Sequence, residues 1–379
     1  MRHRLLLVLL STSMLGGCAS WFETSSRPLP TALSEIHSSQ KLQKKWSNSV
    51  GAQNNGSFLP VYDRGDIIVA DGDGVVRTFN ADSGRLNSKI EVKRPLSSGV
   101  AVSDNLLFLG SQDGSLLAVE RATGKVRWEQ RLTSLTLEAP SVGGQVVVVR
   151  TNDDRVTGFS VSDGKQLWSV PHFMPQLTVR NTGSLTPVAS EVTIVGLSGG
   201  KLQVLAQSTG NALWESVVAT PKGATEMERI TDVSSRPVFN NGQVCAVAYQ
   251  GRVACFDAKS GNLEWARDVS SSRGLAVDGN NVYVSAEDDS VWAFDRLTGR
   301  NVWKQDALKY RSLSGPAMLG RFVLVVDAQG IAHLLSNEDG SIIGRAKIGT
   351  EGQTGQPVSL GSSALIQGPE GRLVMLSLG

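Results

Sequence analysis

Leu106-Leu107-Phe108-Leu109-Gly110-Ser111-Gln112-Asp113-Gly114-Ser115-Leu116-Leu117-Ala118-Val119 is an apolar strand, a polar turn and a second apolar strand. The plan returns at Asn281-Val282-Tyr283-Val284-Ser285-Ala286-Glu287-Asp288-Asp289-Ser290-Val291-Trp292-Ala293-Phe294. Each stretch runs into a further turn, Thr123-Gly124-Lys125-Val126-Arg127-Trp128 in the first and Thr298-Gly299-Arg300-Asn301-Val302-Trp303 in the second. The turn glycine recurs at Gly84, Gly124, Gly164, Gly210, Gly261, Gly299 and Gly340, at intervals of 40, 40, 46, 51, 38 and 41 residues. A period near forty, with four short strands per unit and glycine turns, is that of a propeller blade.

A lone four-stranded sheet whose strands are apolar on both faces cannot bury them, so each unit must stack against its neighbours. No ten-residue stretch within the repeats carries helical periodicity. Third strands fall at about residues 75–80, 115–120, 155–160, 201–206, 252–256, 290–295, 331–336 and 372–377, which makes eight blades. The last unit stops before a fourth strand. Lys41-Leu42-Gln43-Lys44-Lys45-Trp46 looks like the missing piece, because Trp46 precedes Trp128 by 82 residues, or two periods. The expected fold is all-β: an eight-bladed β-propeller of four-stranded antiparallel blades, 41–379, with the N-terminal strand closing the ring in the C-terminal blade. Trp46, Trp128, Trp168, Trp214, Trp265 and Trp303 share one repeat position, where an indole can dock on the next blade and donate its N–H to a carbonyl. Ser88 and Gly344 take that position in blades one and seven, so softer junctions are expected there.

At the N-terminus, Arg2 and Arg4 precede the apolar run Leu5 to Leu10 and the small residues before Cys18. This pattern is a secretory signal peptide, 1–17, too short to span a bilayer. Leu15-Gly16-Gly17-Cys18 resembles the bacterial lipobox, which implies that Cys18 is lipidated. Ala19 in place of an aspartate implies sorting to the outer membrane, with the protein on its periplasmic face and held there by its lipid alone. Two or more acyl chains hold a protein stably. Residues 18–40, rich in Ser, Thr and Pro, are expected to be a flexible tether. Losing Arg2 and Arg4 takes the formal charge from +2 to 0, which leaves no concentrated basic face for nucleic acid.

Catalytic chemistry is hard to place. His3, His37, His172 and His333 lie far apart with no metal-ligand spacing. Asp73, Asp113, Asp154 and Asp289 recur near the turn between second and third strands, where aspartate is a natural turn residue. The unit from Ala118 to Trp128 looks like the repeat of pyrroloquinoline-quinone dehydrogenases. Those enzymes are similar in having eight blades, but they carry adjacent cysteines beside the quinone, and this chain has three separated cysteines. The sequence gives no catalyst, no metal site and no cofactor. Cys245 and Cys255 flank a turn symmetrically in blade five; the periplasm permits a disulfide, and two buried thiols would pack as well.

Function must then come from a surface. The long intervals of 46 and 51 residues both flank blade four, and their extra residues fall between one blade's outermost strand and the next blade's innermost. Both connections emerge on one face of a propeller. The first contains Pro171-His172-Phe173-Met174-Pro175-Gln176-Leu177-Thr178-Val179-Arg180, and the second runs from Lys222 to Val233. Long loops on a rigid scaffold commonly carry function; the alternative is that they merely cover the blade ends.

Lipobox, closing strand, eight quinoprotein-like repeats and Ala224-Thr225-Glu226-Met227-Glu228-Arg229-Ile230-Thr231-Asp232-Val233 together resemble the BamB family, the propeller lipoproteins of the outer-membrane β-barrel assembly machinery. The resemblance covers nearly the whole mature chain. It implies a scaffold, not an enzyme, present as one copy in a hetero-oligomeric complex and assisting β-barrel insertion. It also implies that two loop regions bind a POTRA domain of BamA. The matching positions are Leu177, Val179 and Arg180 in the first loop and Asp232 in the second. Ser234 stands where the family usually has another aspartate. The resemblance further implies that blade edges accept nascent outer-membrane proteins as added strands, although no residue here specifies it. A periplasmic quinone-dependent dehydrogenase and an envelope scaffold with another partner are the competing readings.

Overall fold

Apolar runs of five or six residues, cut by glycine turns, fold back on themselves as antiparallel strands. The computed structural model arranges them as eight sheets. It describes residues 28–36, 39–51, 57–179 and 183–379; the signal peptide, Cys18 and Arg180 lie outside the described residues. Blades one to seven take four consecutive strands each, from Val61–Asp63 at the start of the first to Ile342–Lys347 at the end of the seventh. Blade eight takes Val358–Leu360, Ser363–Gln367 and Arg372–Leu378 from the C-terminus and Leu42–Ser49 from the N-terminus. Leu42 pairs with Leu378 and Trp46 with Met375, so the ring closes as the repeat phase requires. Blade two carries a strand that the repeat pattern does not announce: Ser57–Phe58 runs parallel to Leu96–Ser103, and Phe58 is buried between blades one and two.

The core lies between the sheets. Ile67, Val69 and Phe79 of blade one meet Leu365, Leu373 and Met375 of blade eight around Trp46, and similar clusters fill the other junctions. Every fourth strand has a register shift just before the Trp position, as at Val126/Trp128, and such a bulge re-aims the side chain that follows it. Each indole lies over the turn glycine of the next blade: a Cβ on Gly164 would sit 2.7 Å from Trp128, and one on Gly261 would sit 2.6 Å from Trp214. Each indole N–H donates to a carbonyl of that blade, from 2.7 Å (Trp265 to Arg296) to 3.1 Å (Trp303 to Asn337). All six tryptophans dock in this way.

The two junctions without Trp are filled differently. Ile90 takes over against Gly124. At Gly344 the missing side chain makes room for backbone, since a Cβ there would lie 2.7 Å from the Gln40 carbonyl oxygen. The N–H groups of Ser39 and Gln40 both donate to Ile343 O at 3.0 Å. This corrects the tether expectation for 28–36 and 39–40, which are strapped to blade seven and the connection leading into it. Thr31 N–H donates to Lys309 O at 3.1 Å, Arg311 donates to Thr31 O at 2.8 Å, and Arg345 donates to Ser34 O at 2.5 Å. Leu33 packs on the cluster between blades six and seven. Cys245 and Cys255 pair directly across neighbouring strands and form a disulfide, with Cα atoms 4.1 Å apart.

Candidate functional site

The two long connections beside blade four meet. Residues 172–184 leave the end of Gln166–Pro171, and residues 218–237 leave the end of Ala212–Val217. Asp232, 3 % exposed, joins them: its Oδ2 accepts the Val179 N–H at 2.6 Å and its Oδ1 the Gly199 N–H at 2.9 Å. Burial pushes the Asp232 carboxyl above the usual carboxylate range, against the pull of these two N–H donors. Its neighbour Val233 is fully buried, and its N–H donates to Leu197 O at 3.2 Å. The Asp232 side chain therefore holds the first loop in place and does not face outward.

At the start of the first loop, His172 sits with Nε2 2.8 Å from Gln203 Oε1 and Nδ1 3.1 Å from the Asp154 carbonyl oxygen. Phe173 (88 % exposed), Met174 and Leu177 then point to solvent, and Val179 is half-buried. In the second loop Glu228 Oε2 accepts the N–H groups of Ala224 at 2.8 Å and Thr225 at 3.0 Å, closing a tight turn that presents Met227 (70 % exposed). Those donors hold the Glu228 carboxyl below its usual range. Of the residues nominated from sequence, the structure thus brings Leu177, Val179 and Asp232 to one place on one face. Ser234, 5 % exposed, is buried behind them.

Beneath the loops lies a charged cluster that sequence reasoning missed. Arg150 ends the strand Val146–Arg150, donates to Asp154 Oδ1 and Ser184 Oγ, and lies 3.8 Å from Glu138. Glu138 Oε2 accepts the N–H groups of Ser184 at 2.6 Å and Leu185 at 3.1 Å. An arginine closing a run of four buried valines was the available signal, because a charge there must be paired. Among the described residues no cluster of three or more His, Cys, Asp or Glu side chains is placed to hold a metal ion.

The family described as outer membrane protein assembly factor BamB matches residues 72–305. The chain belongs to the BamB family. The Bordetella pertussis BamB is 36 % identical over 97 % of this chain and 95 % of its own length, and the Escherichia coli K12 BamB is 29 % identical over 100 % and 99 %. The crystal structure of BamB from Moraxella catarrhalis superposes with a TM-score of 0.80 at 25 % identity, covering 89 % of this chain and 99 % of that one. A quinohemoprotein alcohol dehydrogenase from Comamonas testosteroni shares the propeller fold, with a TM-score of 0.67 at 13 % identity. Membership in the BamB family favours the assembly-factor reading of this propeller over the dehydrogenase one.

Proposed function

We propose that this protein is a non-catalytic scaffold of outer-membrane protein assembly, held at the periplasmic face of the outer membrane by lipid on Cys18. Its paired loops would dock a POTRA domain of BamA. The observation that carries the docking reading is the Asp232–Val179 bond, which fixes two separate insertions as a single surface. Exposed Leu177, Met174 and Met227 supply apolar contact at its centre, and Arg180 would supply the charge-assisted orientation. Asp232 acts through its hold on Val179, as a positioning residue. Family membership supports the assembly role, and the ring's rigidity supports a scaffold.

The test is capture of BamA's periplasmic domains by the full lipidated chain from gently solubilised membranes. Arg180→Glu should keep the wild-type melting curve and weaken capture tenfold or more, since losing a charged interface pair costs roughly 2–5 kcal/mol. Unchanged capture by a folded variant would remove that contact. Cys18→Ser should move the protein from the membrane to the soluble periplasmic fraction.

A further inference from the structure

The turn between second and third strands needs a residue at positive φ. Gly74 (φ 88°) and Gly114 (φ 83°) supply it in blades one and two, whereas blades three and six use Asp154 (φ 60°) and Asp289 (φ 61°). An aspartate there gives up conformational energy that glycine would keep. In blade six the carboxylate is fully used: Oδ2 accepts the Ser312 N–H and Oδ1 the Leu313 N–H, both at 2.8 Å, as the next connection folds down over the turn. In blade three the inserted loop instead walls a cleft of about 330 Å³, lined by Glu138, Arg150, Asp154, Met174 and Val179 among others. Asp154 is 2 % exposed, its Oδ1 is taken by Arg150, and its Oδ2 has no partner among the described residues. Glu138 and Asp154 both face the Arg150 guanidinium, Asp232 lies within its electrostatic reach, and Arg236 lies within that of Glu138. A buried carboxylate oxygen without a donor is costly unless a ligand supplies one.

We propose that this cleft receives a lysine or arginine side chain of the protein docked on the loops. The ammonium or guanidinium donates to Asp154 Oδ2, and its methylenes lie along Met174 and Val179. The inference rests on the docking reading above and names what that partner must present. A long basic side chain suits the place because its apolar stem matches the rim and its cationic head matches the floor.

Two measurements test it. The first titrates the lipid-free mature protein with N-acetyl-arginine amide and follows backbone amide shifts. Saturable shifts at Thr151 to Arg155 are expected with this probe and not with N-acetyl-norleucine amide, and they should vanish in Asp154→Gly. That variant suits the turn, as Gly74 and Gly114 do, so loss of fold does not confuse the result. No shift in the wild type, or an equal shift with norleucine, overturns the proposal. The second crosses Asp154→Gly and Asp154→Asn with alanine replacements of each Lys and Arg on a BamA periplasmic fragment. One basic residue should lose tenfold or more against the wild type and nothing against either variant; if none is coupled, the proposal fails. A wild type that does not bind the fragment at all sinks the docking reading, while the arginine titration still decides the cleft.

Discussion

Gly261 and Gly242 both sit at positive φ, 71° and 77°, but only Gly261 lies under an indole. A Cβ on Gly242 meets nothing within 4 Å, whereas one on Gly261 meets Trp214 at 2.6 Å. Gly242→Ala should therefore cost only the backbone penalty of roughly 1–2 kcal/mol. Gly261→Ala should cost clearly more, approaching the roughly 3–5 kcal/mol of a buried Trp truncation. Equal shifts in denaturant midpoint would mean that the Trp–Gly contact between blades carries no weight. The recurrence of both residues was legible in the sequence; that each Trp rests on the following blade's glycine was not, because a repeat fixes position and leaves open which neighbour is touched. Small residues opposite the indoles, Ala118, Gly158, Cys255 and Ala293, are the visible trace of that geometry. His333 offers a second test. Its Nε2–H donates to Asp327 Oδ2 at 3.0 Å and its Nδ1 accepts from Arg345 Nε at 3.2 Å, so the ring is held neutral. Burial pushes its pKa below the ordinary 6.5. The unfolded chain then takes up a proton near 6.5 that the folded one refuses, and stability falls as pH drops below that value. For Asp327, burial works to raise the carboxyl, yet hydrogen bonds from His333, the Ile331 N–H and Arg311 hold it below 3.8, so its own contribution is lost only under still more acid conditions. His333→Gln should flatten the melting temperature between pH 7 and 5; an unchanged slope would assign the loss elsewhere.

Strands, turns and loops differ in how far their sequence specifies them. Third strands were placed to within a residue or two, as with Lys201–Ala206 and Arg372–Leu378, because burial on both faces leaves a nearly unbroken apolar run. Ser57–Phe58 was not legible, since two residues carry no period. The strap 28–36 hid for a different reason: its partners, Arg311 and Arg345, lie 280 and 311 residues away, and a Ser-, Thr- and Pro-rich composition says only that it cannot make a core. The pairing of the two loops by Asp232 hid likewise, because a buried aspartate that accepts loop N–H groups looks, in sequence, like any charged loop residue. Arg311→Ala with Arg345→Ala should free the strap, raising hydrogen exchange at the Thr31, Ser39 and Gln40 amides by an order of magnitude or more while the blade amides stay protected. Protection that persists would place the hold in Leu33 and the Lys309 and Ile343 carbonyls. In blade five the disulfide closes only ten residues of sequence between strands already paired. Its chain-entropy contribution is bounded near 3 kcal/mol, and replacing both cysteines with alanine should lower the denaturant midpoint without changing the fold.

Around the full ring, closure is the feature on which the loop surface depends, because the loops flanking blade four keep their relation only while no blade can swing away. Leu42–Ser49 supplies blade eight's outer strand, and Trp46 and Val50 supply much of the cluster joining blade eight to blade one. The Gly379 N–H donates to Lys41 O at 2.7 Å, so the end of the last strand lies against the start of the first. Covalent continuity at that point is therefore dispensable, while the strand itself is not. A circular permutant that begins at Gly242, an open turn position in blade five, and joins 379 to 41 through a short glycine linker should melt cooperatively near the parent temperature. A chain beginning at residue 57 lacks the closing strand and leaves Met375, Leu373 and Ile67 facing water; it should unfold without a single sharp transition and aggregate. Should the shortened chain melt like the parent, the N-terminal strand would be an accessory to a ring already closed by side-chain packing between blades one and eight, and the rigidity of the loop surface would need another source.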